Sequence, residues 1–107
     1  MAASRIQVFE QMLESEPDNS LVMFGLAKEY EKEGRHEDVS RLLSGYLART
    51  DDEGNAYGML ARAYDKLGQR DEARRAYERG IEAAMRHGHP SMAEDYRAAL
   101  AGDDEEF

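Results

Sequence analysis

Apolar residues recur along this chain at helical rather than alternating spacing. Leu26, Ala27 and Tyr30 stand at i, i+1 and i+4, and the run stops at Gly34; Leu60, Ala61 and Tyr64 repeat the arrangement and stop at Gly68. Each set lies on one face of a 3.6-residue helix. A glycine just past the last apolar position takes left-handed backbone at the end of a helix, so positive φ is expected at Gly34 and Gly68. Acids follow each glycine, Glu37 and Asp38 in one case, Asp71 and Glu72 in the other, and they suit the positive end of a second helix. Those second helices are expected to bury Val39, Leu42, Leu43, Tyr46 and Leu47, and Ala73, Ala76, Tyr77, Ile81 and Ala84.

The two patterns are one pattern repeated. Shifting the chain by 34 residues lays Ser20–Glu53 over Gly54–His87 without a gap, with identity at Leu26/Leu60, Ala27/Ala61, Tyr30/Tyr64, Lys32/Lys66, Gly34/Gly68 and Arg41/Arg75. These matches fall where a helical hairpin needs packing residues and a turn. Ahead of them, Ile6, Phe9, Met12 and Leu13, followed by Pro17, read as the second helix of a preceding unit. Behind them, Pro90 opens a helix carrying Met92, Tyr96 and Leu100 at i, i+4 and i+8, and Gly102 is expected to end it.

The segments LAKEYEKEG and LARAYDKLG, each followed by a small or branched residue and later an aromatic or leucine, resemble the tetratricopeptide repeat (TPR) family, whose unit is a 34-residue helix–turn–helix. Met23 and Tyr57 stand where the family has its early Trp, and Tyr46 and Gly80 where it has a late Ala. The resemblance implies an all-α fold, a right-handed α-solenoid of about six helices. One domain is expected over residues 1–102: a leading half repeat at 4–18, repeats at 20–53 and 54–87, and a capping helix at 90–101, with 103–107 a disordered acidic tail.

The chain has 107 residues, 14 Lys and Arg against 23 Asp and Glu, and a net charge of −9. Such acidity repels phosphate backbones and anionic lipid, so neither nucleic acid nor a membrane surface is an expected partner. No apolar run approaches the roughly 18 residues that span a bilayer, and a cytoplasmic location is expected. The absence of cysteine excludes disulfides, zinc–thiolate sites and thiol nucleophiles. No serine sits in a nucleophile elbow and no glycine-rich phosphate loop is present, so neither an enzyme nor a bound cofactor is expected. His87 and His89 form an HGH turn, but two imidazoles fall short of the four ligands of structural zinc, and they read as turn residues, as does His36.

The remaining candidate is a surface for binding protein. Lys28 and Lys32, with Arg62 and Lys66 at the matching positions, are i, i+4 pairs on first helices. In TPR-like arrays first helices line a concave groove that takes peptides. The resemblance therefore places Leu21, Phe24, Lys28, Lys32, Asn55, Gly58, Met59, Arg62 and Lys66 along such a groove, with an acidic peptide or partner protein as its expected occupant. It does not extend to the members that clamp a C-terminal carboxylate, because Phe24, Met59, His89 and Ala93 fall where those proteins carry polar or basic residues. Ile6, Phe9 and Met12 on the leading half repeat offer an alternative, a homodimer through an uncovered apolar face.

Overall fold

The computed structural model describes residues 4–105, with side chains through Gly102. Among the described residues the elements are six helices: α1 (Arg5–Ser15), α2 (Ser20–Lys32), α3 (His36–Arg49), α4 (Asn55–Lys66), α5 (Arg70–Arg86) and α6 (Pro90–Glu105). The chain divides between Thr50 and Asp51 into two compact units. Each hairpin closes on itself and recruits one flanking helix: α1 packs on the α2–α3 hairpin through α2, and α6 on the α4–α5 hairpin through α5. Such packing is local in sequence, which is why each half forms a centre of its own.

In the first unit, the Ser4 hydroxyl accepts from the Gln7 amide while the Gln7 carboxamide accepts from the Ser4 amide, a reciprocal box that starts α1. Asn19 Oδ1 accepts from Val22 N at 3.2 Å to start α2. The hairpin buries Val22, Met23, Leu26, Ala27 and Tyr30 of α2 against Val39, Leu43, Tyr46 and Leu47 of α3. Leu42, expected in the core, is only half-buried. α1 contributes no buried residue; Ile6, Phe9 and Leu13 are half-buried, while Val8 and Met12 are exposed.

In the second unit, α4 buries Ala56, Tyr57, Gly58, Met59, Leu60, Ala61 and Ala63, and α5 buries Ala73, Ala76, Tyr77, Gly80, Ala83 and Ala84. Ile81 and Tyr64, both expected in the core, are half-buried. Tyr96 of α6 enters this unit between glycines: a Cβ at Gly58 would stand 2.7 Å from its ring, and one at Gly80 would stand 2.8 Å from it. The Tyr96 hydroxyl donates to the Gly54 carbonyl at 2.7 Å, and burial pushes that hydroxyl's pKa up.

Both predicted helix stops have left-handed backbone, φ 72° at Gly34 and 77° at Gly68. The amide after each glycine reaches back to the carbonyl of the repeated tyrosine, Arg35 N to Tyr30 O at 2.9 Å and Gln69 N to Tyr64 O at 2.8 Å. Gly88, with φ 78°, makes the same turn after α5, and His89 N reaches Ala84 O at 2.7 Å. The repeated arginine has a local role: Arg41 pairs with Asp38 and Arg75 with Glu72, each three residues back on its helix. Gly102 does not stop α6, which runs on to Glu105 because a glycine inside a helix costs only about 1 kcal/mol relative to alanine. Of the expected acidic tail, 103–105 continue that helix in their backbone, and 106–107 lie outside the described residues.

Candidate peptide-binding surface

The first helix of the first unit carries an apolar and basic ridge. Leu21, Phe24 and Lys28 stand at i, i+3 and i+7, so they share a face of α2. Leu21 is 86% exposed. The Phe24 ring, half-buried, stacks on Tyr46 of α3 with centroids 5.6 Å apart and planes 29° apart. Lys28 Nζ lies 5.7 Å from the Phe24 centroid, a cation–π contact worth about 0.5–1 kcal/mol at an exposed site. Lys32, one turn further on, pairs with Glu29 at 3.2 Å, and Glu29 also meets Arg5 at 3.6 Å. The Lys32 charge is thus balanced locally, whereas Lys28 projects over an aromatic face.

On the first helix of the second unit, Asn55, Arg62 and Lys66 are exposed. Gly58 and Met59 are not: Met59 is buried, and Gly58 lies under the Tyr96 ring. These two positions were expected to line a groove. They pack inside the unit instead, because the absent side chain at Gly58 admits an aromatic from α6.

Beside Tyr30 the first unit has a cleft of about 380 Å³. The Tyr30 hydroxyl donates to Glu10 Oε2 at 2.7 Å, tying α2 to α1. Burial first, and then this carboxylate, raise the Tyr30 pKa to about 12. The Arg35 guanidinium lies 4.4 Å from the Tyr30 ring centroid and pairs with Asp38 at 2.8 Å. Burial alone would raise the Asp38 pKa, but Arg35 and Arg41 outweigh it and hold the carboxyl below the usual range. With two acids against two arginines, the cleft lining carries no net charge.

Two of the three histidines face carboxylates, while His36 Nδ1 and His87 Nε2 are buried without a hydrogen-bond partner. His36 opens α3, while His87 Nε2 stands 3.1 Å from Asp51 Oδ2 and His89 Nε2 stands 2.9 Å from Glu53 Oε1. Among the described residues no group of three or more His, Asp or Glu is placed to hold a metal ion, and no helix is long and apolar enough to cross a membrane. Sequence reasoning missed Asp52, buried where the chain enters α4, whose carboxylate accepts from Gly54 N at 2.8 Å and Ala56 N at 3.0 Å. An aspartate just before a Gly-Asn helix start was the available signal.

The hairpin of the second unit coincides with a recognised pattern: residues 54–84 match the family model of the tetratricopeptide repeat. Over 83 residues the chain is 31% identical to the TPR repeat-containing protein PA0015 of Pseudomonas aeruginosa, covering 78% of this chain and 79% of that protein. The chain belongs to the tetratricopeptide repeat family. The solution structure of protein BPP2914 from Bordetella parapertussis is similar to this TPR protein with a TM-score of 0.80 and 25% identity, covering 94% of this chain and 87% of that one. TPR domains generally mediate protein–protein interaction and are generally non-catalytic, and the Leu21–Phe24–Lys28 ridge lies on a first helix of the TPR hairpin type.

Proposed function

We propose that the protein is a non-enzymatic interaction module that binds a peptide or a segment of a partner protein on its first helices, with α2 as the principal recognition element. The observation that carries this reading is Leu21, a large apolar side chain 86% exposed on the same face as Phe24 and Lys28. An exposed apolar ridge ending in a cation fits a segment that pairs an apolar or aromatic residue with a carboxylate. Asn55, Arg62 and Lys66 of α4 are recognition residues of the second unit in the same reading. Lys32 contributes less, because binding there would first have to displace Glu29.

Titration of acidic peptides with and without an apolar residue two to four positions from the carboxylate tests the proposal. Leu21→Ala and Lys28→Glu are each expected to weaken binding about tenfold, equivalent to about 1.4 kcal/mol, with thermal stability unchanged. Equal binding by both variants would sink the α2 assignment. A second reading, a homodimer through α1, rests on Val8 and Met12, 43% and 41% exposed. Sedimentation of the chain at rising concentration separates the two, since self-association alone shifts mass without added peptide.

A further inference from the structure

Peptide recognition leaves the His87-Gly88-His89 turn without a role, yet this turn is tied twice to the segment by which the chain enters its second unit. Asp51 meets His87 at 3.1 Å and Arg86 at 2.9 Å, and Glu53 meets His89 at 2.9 Å. Between and after them, Asp52 holds the Gly54 and Ala56 amides, and the Gly54 carbonyl accepts from Tyr96. Residues 51–54 are therefore held at every position. Two of those attachments, at Asp51 and Glu53, run through imidazoles.

We propose that His87 and His89 form a proton-operated clasp that fastens residues 51–54 to the α5–α6 turn when protonated and loosens them when neutral. With a protonated imidazole each contact is an ion pair; with a neutral one it is at best a hydrogen bond to a carboxylate. Charge assistance roughly doubles the strength of such a bond, and histidines ordinarily change charge between about pH 5 and 8. Asp51 and Glu53 attract from the entering segment, and Asp95 of α6 lines one cleft with His89, while Tyr96 beside it is a neutral phenol. Arg86, next to His87, carries a share of the Asp51 contact that does not depend on the charge of the imidazole. On the acid side the Asp51 contact fails when that carboxyl takes up a proton, and His87 and then Arg86 hold it below its ordinary value of 3.8. The device thus has a window, bounded below by the carboxylates and above by the imidazoles.

Thermal unfolding of the full chain at about pH 5.5 and pH 8 tests it, comparing wild type with His87→Gln/His89→Gln and with Asp51→Asn/Glu53→Gln. The wild-type advantage over each double variant is expected to be about 4 °C larger at the lower pH. Advantages that are the same at both pH values would overturn the clasp. So would a pH effect lost in the histidine variant and retained in the carboxylate variant, because the imidazoles would then act on some other group. NMR of the folded chain gives a readout independent of unfolding: the His89 ring signals are expected to shift on Glu53→Gln, and signals left unchanged would count against the pairing.

Discussion

The two hairpins solve one packing problem in opposite ways. In the 34-residue register Phe24 corresponds to Gly58, and Tyr46 to Gly80. The first unit places a ring at both positions and stacks them on each other. The second unit places a hydrogen at both and takes the ring from α6, with Tyr96 lying where either Cβ would go. Space between the two helices is filled from inside the hairpin in one case and by the following helix in the other. Each solution needs both of its positions: one glycine facing one ring would leave a void or a clash. The difference also decides what is available to a partner. The hairpin packed with its own rings leaves one of them, Phe24, half-buried, whereas the glycine hairpin is covered by Tyr96.

The largest expected effect falls on the borrowed ring. Tyr96→Ala removes a buried aromatic and the donor to the Gly54 carbonyl, and is expected to cost about 3–5 kcal/mol in urea unfolding, a large fraction of the roughly 5–15 kcal/mol that holds a small domain. Phe24→Ala, at a half-buried ring that already meets water, is expected to cost about 1–2 kcal/mol, combining partial burial with the loss of one aromatic pair. Equal costs at the two sites would break the comparison, since they would show the second unit indifferent to α6.

Next in size is the reverse experiment, adding atoms where the glycines make room. Gly80→Ala places a Cβ 2.8 Å from both the Tyr57 Cβ and the Tyr96 ring. Overpacking of this kind is expected to cost about 1–3 kcal/mol. Combining Gly80→Ala with Tyr96→Ala sharpens the reading. The added methyl is then relieved of the Tyr96 contact and keeps only that with Tyr57, and the double variant is expected to be more stable than the sum of the single changes predicts. Strict additivity would mean that Gly80 is small for some reason other than Tyr96.

The sequence made the hairpins, their turns and most of their buried faces legible, because these follow from local rules. Leu26, Leu60, Ala27 and Ala61 lie at positions that periodicity alone assigns to a core, and Gly34 and Gly68 end helices where no other residue takes the backbone cheaply. The candidate site was legible only in part. Periodicity tells which face of α4 Gly58 and Met59 share with Arg62, but whether that face is open depends on Tyr96, 38 residues beyond Gly58. Tyr64 illustrates the same limit from the other side: it is identical to Tyr30 in register, yet half-buried, because the environment of each tyrosine is set by a neighbouring helix that the repeat does not encode.

The Tyr30 and Tyr64 pair supplies the smallest effect and the finest test of that point. Tyr30 donates to Glu10 on α1, and its burial together with that carboxylate raises its pKa from 10.0 to about 12. A phenol whose folded-state pKa is raised stabilises the fold fully below its ordinary value, and this contribution is lost as pH climbs from about 10 to about 12. Phenolate absorbance should therefore show a late step that Tyr30→Phe abolishes. The same substitution is expected to flatten the fall of stability with pH in that window, at a cost near neutrality of about 1 kcal/mol or less, because Glu10 is partly exposed and recovers water in place of the hydroxyl. Tyr64→Phe is expected to leave the late step intact. If Tyr64→Phe removed it instead, α1 would not be the helix that sets the first unit's tyrosine apart, and the contrast between the two hairpins would have to be drawn elsewhere.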